Sequence, residues 1–185
     1  MSDLSHLPAG YHSVTPYLLT ADVGKLLDFI LEAFDAETTE RVEMPDGTVS
    51  HAEVQIGDSR IMLGQARDEW PPMPSMLYLY VPDCDAAYSK AIAAGAEKVM
   101  EPMDQFYGDR SGGVLDPYGN QWWFGTRNEE ISSEELAKRM REVRDSKRRD
   151  LLAKRLAKGL PVGQRQQDAE GCAAVARLNL NTATV

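Results

Sequence analysis

Apolar positions in the first two thirds of the chain switch between a period near two and a period near 3.6. Tyr11–Leu19 is apolar and rich in β-branched and aromatic residues, which predicts a strand. Asp22 then caps a helix through Phe34, because Val23, Leu26, Leu27, Ile30, Leu31 and Phe34 recur at helical spacing. Three strands are predicted over Glu37–Met44, Thr48–Ile56 and Ser59–Gln65, parted by turns at Pro45-Asp46-Gly47 and Gly57-Asp58. Ala66–Ser75, with Pro71, Pro72 and Pro74, reads as a linker or lid loop.

The same order then restarts. Met76–Val81 predicts a strand, Asp83 caps a helix ending at Gly95, and Glu97–Met103 predicts another strand. A loop over Asp104–Gly112 follows, and two further strands flank the turn Asp116-Pro117-Tyr118-Gly119. The two caps stand 61 residues apart, Glu37 and Glu97 stand 60 apart, and Gly57 and Gly119 stand 62 apart. A near-constant offset across three landmarks indicates duplication of a βαβββ unit.

A change of pattern and charge falls at Arg127–Asn128. Residues 1–127 carry 20 acidic against 8 basic side chains, whereas residues 128–185 carry 9 against 12. Ser132 and Glu135 form a capping box for a charged helix, whose Leu136, Met140, Val143, Leu152 and Leu156 make one thin apolar stripe. Its basic residues, Lys138 to Arg149, alternate with Glu and Asp at spacings that pair along a helix. That favours a solvated helix over a nucleic-acid or membrane arm. The organisation expected is an arm (1–10), a two-module domain (11–127, with modules 11–66 and 75–127), a charged helix (128–158) and a disordered tail (159–185).

Composition narrows the function classes. The net charge of −9 disfavours nucleic acid as a partner. No apolar run approaches the roughly 18 residues of a membrane span, and MSDLSHLPAG lacks a signal-peptide core, so the reading is cytoplasmic with no membrane partner. Two cysteines, Cys84 and Cys172, make neither a disulfide framework nor a metal knuckle. The three histidines, His6, His12 and His51, all lie in the first third, which excludes a histidine cluster drawn from both halves.

Tandem βαβββ units with Asp116-Pro117-Tyr118-Gly119-Asn120 before the last strand resemble the vicinal oxygen chelate superfamily, which includes glyoxalases, bleomycin-resistance proteins and extradiol dioxygenases. Tyr11–Tyr17, Ser50-His51-Ala52-Glu53 and Asp104–Gly112 are similar to its PhnB-like branch. The resemblance implies an α+β fold, two modules forming a curved mixed sheet around one pocket, with a homodimer common. It also implies a divalent ion held by first- and last-strand side chains. Carried over, those positions fall at Thr15, Met76, Trp123 and Ile61 or Met62. Such a set offers no good oxygen or imidazole donors, so the family's metal site reads as absent and no cofactor is expected.

The expectation is therefore a metal-free protein that binds a small organic molecule, cationic or aromatic, without catalysis. Thr15, Tyr17, His51, Met76, Phe106, Tyr107, Arg110 and Trp123 are its candidate ligand-binding residues. One alternative is a metal-dependent lyase, isomerase or oxygenase using His51 and Glu53, which share a strand face at i, i+2; another is a scaffold with a filled pocket. Each candidate has a plainer reading. His51 can be satisfied by a strand neighbour, Asp109 and Arg110 can merely pin their loop, and Trp123 can fill space. Trp122 and Trp123, being adjacent, must face opposite sides of their strand.

Overall fold

The computed structural model describes residues 6–159. The first module consists of β1 (Tyr17–Thr20), α1 (Val23–Phe34), β2 (Glu37–Glu43), β3 (Val49–Ile56) and β4 (Ser59–Gln65). Its sheet has the order β1-β4-β3-β2, with β1 parallel to β4 and the other pairs antiparallel. The second module repeats this with β5 (Met76–Tyr80), α2 (Cys84–Ala93), β6 (Glu97–Asp104), β7 (Asp109–Leu115) and β8 (Gln121–Arg127), in the order β5-β8-β7-β6. The fold is thus α+β with two βαβββ modules, each carrying its own four-stranded mixed sheet, and a C-terminal helix, α3 (Ser133–Ala157).

Local chemistry sets the helix starts. The Asp22 carboxylate accepts the Lys25 backbone N–H at 3.0 Å, and Asp83 accepts that of Ala86 at 3.0 Å. Each satisfies an amide that the first helical turn leaves unpaired. α1 buries Val23, Leu26, Leu27, Phe29, Ile30 and Ala33 against Ala52, Val54, Ile61 and Leu63 of its sheet. The core continues into the second module, where the Phe34 ring lies 4.4 Å from that of Trp122 and 5.9 Å from that of Phe124. Each sheet therefore keeps one face in a common core and leaves the other outside it.

Two boundaries differ from the sequence expectation. The first strand begins at Tyr17 rather than Tyr11, because the Tyr11 amide turns back to the Pro8 carbonyl and the Thr15 hydroxyl to that of His12. The predicted loop Asp104–Gly112 shrinks to residues 105–108, closed by the Gln105 N–H on the Asp109 carbonyl, with Gly108 at φ 96°. Asp109–Gly112 belong to β7.

The chain divides into two compact units at Ser132–Ser133. Within α3, Glu135 pairs with Lys138 at 3.4 Å and Arg139 at 3.0 Å, the intrahelical pairing that its charge pattern suggests. The predicted tail, from residue 160 on, lies outside the described residues, as do residues 1–5 of the arm. No helix among the described residues is long and apolar enough to cross a membrane.

Candidate metal centre

On the open face of the first sheet, Glu40 stands opposite Glu53 and Val42 opposite His51. The geometry depends on one extra residue. The ladder pairs Glu37 with Gln55 and Thr38 with Val54, then skips Thr39 and resumes at Glu40 with Glu53. In an unbroken ladder Glu53 would face Thr39, and Glu40 would turn to the helix side with Ala52. The bulge restores Glu40 to the face that Glu53 and His51 share.

One ligand atom from each of Glu40, His51 and Glu53 lies within 4.8 Å of the others. His51 Nε2 is 3.5 Å from Glu53 Oε1. Glu53 is 5% exposed, His51 is half-buried and Glu40 lies in solvent. A buried carboxylate needs partners, and Glu53 has several. The Tyr11 hydroxyl donates to its Oε2, Arg60 Nη1 lies 3.8 Å from that oxygen, and the Arg60 guanidinium sits 4.6 Å over the Tyr11 ring. The bond to Glu53, with burial adding to it, holds the Tyr11 phenol above its ordinary pKa. Tyr17 reaches His51 from the other side, its hydroxyl 3.4 Å from Nδ1.

An imidazole and two carboxylates form a donor set suited to a hard or borderline divalent cation. This overturns the expectation of a metal-free binding protein. That expectation rested on the positions carried over from the family, on first and last strands, where the only oxygen donor is the Thr15 hydroxyl. The donors present come instead from β2 and β3.

The other predicted residues are not drawn to this group. Tyr17 and His51 meet, but Thr15 lies in the turn before β1. Met76 and Trp123 belong to the second sheet, Met76 opposite Gln121 and Trp123 opposite Gly113. Trp123 rests on Gly113, where a Cβ would meet its ring at 2.8 Å. Trp122, on the opposite face, is wholly buried and donates to Asp116. Phe106 and Tyr107 pack edge to face, and the Tyr107 hydroxyl lies 3.2 Å from Ser111 Oγ. Arg110 is held by Asp85 and Asp104, with Nη2 at 2.8 Å from Asp85 Oδ1, so it ties β7 and the end of β6 to α2.

Sequence reasoning missed Glu40, Tyr11 and Arg60. Glu40 lies in a run of charged and polar residues, and only the bulge reveals its face. The second module carries the same skip, between Lys98 and Met100, but there Met100 faces Gly113 and Ser111 stands in the place of His51. Among the described residues, only the first module has the donors.

A protein-family model described as the glyoxalase/bleomycin resistance protein/dioxygenase superfamily matches residues 10–124. An uncharacterized protein of Mycobacterium bovis is 34% identical over 138 residues, covering 67% of this chain and 89% of its own. One of Mycobacterium tuberculosis strain H37Rv is 34% identical over 138 residues, covering 67% and 79%. Among solved structures, TioX from Micromonospora sp. ML1 superposes with a TM-score of 0.56 at 22% identity, over 63% of this chain and 98% of that one. A PhnB protein from Bacillus cereus superposes with a TM-score of 0.52 at 18% identity, over 62% and 99%. At these identities the structures show a shared fold.

Proposed function

The chain belongs to the glyoxalase/bleomycin resistance protein/dioxygenase superfamily, and from that premise we propose that it is a metal-dependent lyase, isomerase or oxygenase acting on a small organic molecule. Its divalent cation is held by Glu40, His51 and Glu53. The observation that carries this reading is the convergence of one imidazole and two carboxylates within 4.8 Å, one of the carboxylates buried. A cation bound there supplies Lewis-acid polarisation of a substrate oxygen. The chain's own residues bind and orient. Two carboxylates neutralise a dication's charge, and Tyr17, Val42 and Gly64 give the face an apolar surround. The wording of Tyr11–Tyr17 and Asp104–Gly112 supports a place in the PhnB-like branch.

The test is elemental analysis of tag-free protein after dialysis without chelator, repeated for His51→Ala and Glu53→Gln. The reading expects near-stoichiometric divalent metal in the parent and a loss of most of it in both variants. Equal, negligible metal in all three rules it out.

A further inference from the structure

Resting on the metal reading, we infer that Tyr11 and Tyr17 are positioning residues that choose which atoms of Glu53 and His51 meet the cation. Tyr11 lies in the segment leading into β1 and Tyr17 is the first residue of β1, yet each reaches a ligand residue on β3. The Tyr11 hydroxyl occupies Glu53 Oε2, with Arg60 Nη1 on the same oxygen at 3.8 Å. The Tyr17 hydroxyl lies 3.4 Å from His51 Nδ1. The atoms left over are Glu53 Oε1 and His51 Nε2, and these two face each other at 3.5 Å. Each tyrosine thus takes one atom of its ligand residue and leaves the atom that faces the other ligand.

The chemistry of ligand orientation explains the arrangement. A ligating histidine whose other nitrogen is engaged has its tautomer and ring angle fixed, and a carboxylate with one oxygen engaged offers the other alone. Arg60 lies against Gly10, where a Cβ would meet its guanidinium at 3.0 Å, and stacks on Tyr11, so the guanidinium is held against the phenol ring. Tyr17 lies across Gly64, which fixes its ring beside His51 with centroids 5.9 Å apart. Tyr11 and the first residue of β1, Tyr17, are therefore the outer support of the metal group, although neither is a ligand.

The experiment titrates the full chain with Co²⁺ alone, reading affinity by calorimetry and ligand geometry by the visible d–d spectrum. Parent, Tyr11→Phe, Tyr17→Phe and Glu53→Gln are compared. The expected result is Co²⁺ affinity roughly ten-fold weaker in each Phe variant, an altered d–d band in each, and little change in the melting of the metal-free protein. Unchanged affinity and spectrum in both Phe variants, with uptake lost in Glu53→Gln, overturns the inference and leaves the metal reading standing. No Co²⁺ uptake by the parent, or full uptake by Glu53→Gln, overturns both. Should Tyr11→Phe lower the melting temperature of the metal-free protein, Tyr17→Phe decides alone, because its ring is half exposed at the surface. An unchanged band there refutes the inference.

Discussion

Tyr17 lies flat across Gly64 of the neighbouring strand, so closely that a Cβ at Gly64 would come within 2.5 Å of its ring and hydroxyl. The second module repeats the pair with Tyr78 over Gly125, again at 2.5 Å. Gly64→Ala must therefore lift the ring off the sheet, and with it the hydroxyl from His51. The ring is half exposed and free to swing aside, so the melting temperature should change little, while Co²⁺ affinity should fall as in Tyr17→Phe. Unchanged Co²⁺ affinity in Gly64→Ala would mean that the hydroxyl keeps its place beside His51.

The helix caps offer a cleaner stability test. Asp22→Ala and Asp83→Ala should each destabilise by about 1 kcal/mol, and together they should add, because each caps its own helix and they share no partner. Asp22 also carries a pH signature. Its backbone bond from Lys25, more than the Lys25 side chain, holds its carboxyl below the ordinary value. A depressed native pKa contributes stability that is full above the unfolded value of about 3.9 and is lost as pH falls through the native value. Asn also caps, but it does not ionise. The stability difference between the parent and Asp22→Asn should hold steady at neutral pH and shrink only in the acid range. A difference that shrinks near pH 6 would assign it to another group.

Asp116 is the polar anchor of the second module. Buried at 3% exposure, its carboxylate accepts from the Tyr118 and Asn120 amides, from Asn120 Nδ2 and from Trp122 Nε1 at 2.9 Å. Asp116→Ala leaves those donors unpaired around a void. Each buried donor left unsatisfied costs about 1–3 kcal/mol, so this variant should be less stable than either cap variant. Trp122→Phe leaves the aspartate three donors and should cost less than Asp116→Ala. Chemical denaturation of both variants checks that order.

Most of the fold was legible in the chain because the signals were local. Asp22 and Asp83 are caps with helical periodicity behind them, and the 60–62-residue offsets exposed the duplication. Pairing signals were weaker. Tyr11–Thr15 reads as strand yet turns back on itself, since Pro16 gives no ladder donor and local hydrogen bonds win. The site was legible in one respect: His51 and Glu53 had to share a face. Glu40 was not, because a bulge changes a side chain's face without leaving a mark in hydrophobic periodicity. Tyr11 joins Glu53 across 42 positions of sequence, a contact that no spacing rule encodes, whereas Arg60 is its diagonal neighbour across the β3–β4 hairpin.

The sheet edges differ in how they are guarded, and the difference predicts self-association. β2 is lined with Glu and Arg and broken by two bulges, and β6 carries charges, bulges and Pro102. The β1 edge is partly covered, with the Met73 N–H on the Leu19 carbonyl. β5 has none of these protections among the described residues. Its sequence is Met-Leu-Tyr-Leu-Tyr, with Met76, Tyr78 and Tyr80 exposed. An uncharged, apolar edge with unpaired backbone groups is a template for another strand, and in solution the partner of this one should be a second copy of the chain. Sedimentation velocity at micromolar concentration should show a dimer. Tyr80→Lys, which places a charge on that edge, should shift it to monomer without lowering the melting temperature of the dilute protein. A parent that sediments as monomer across the concentration range would mean that the exposed aromatics of β5 serve something other than self-pairing.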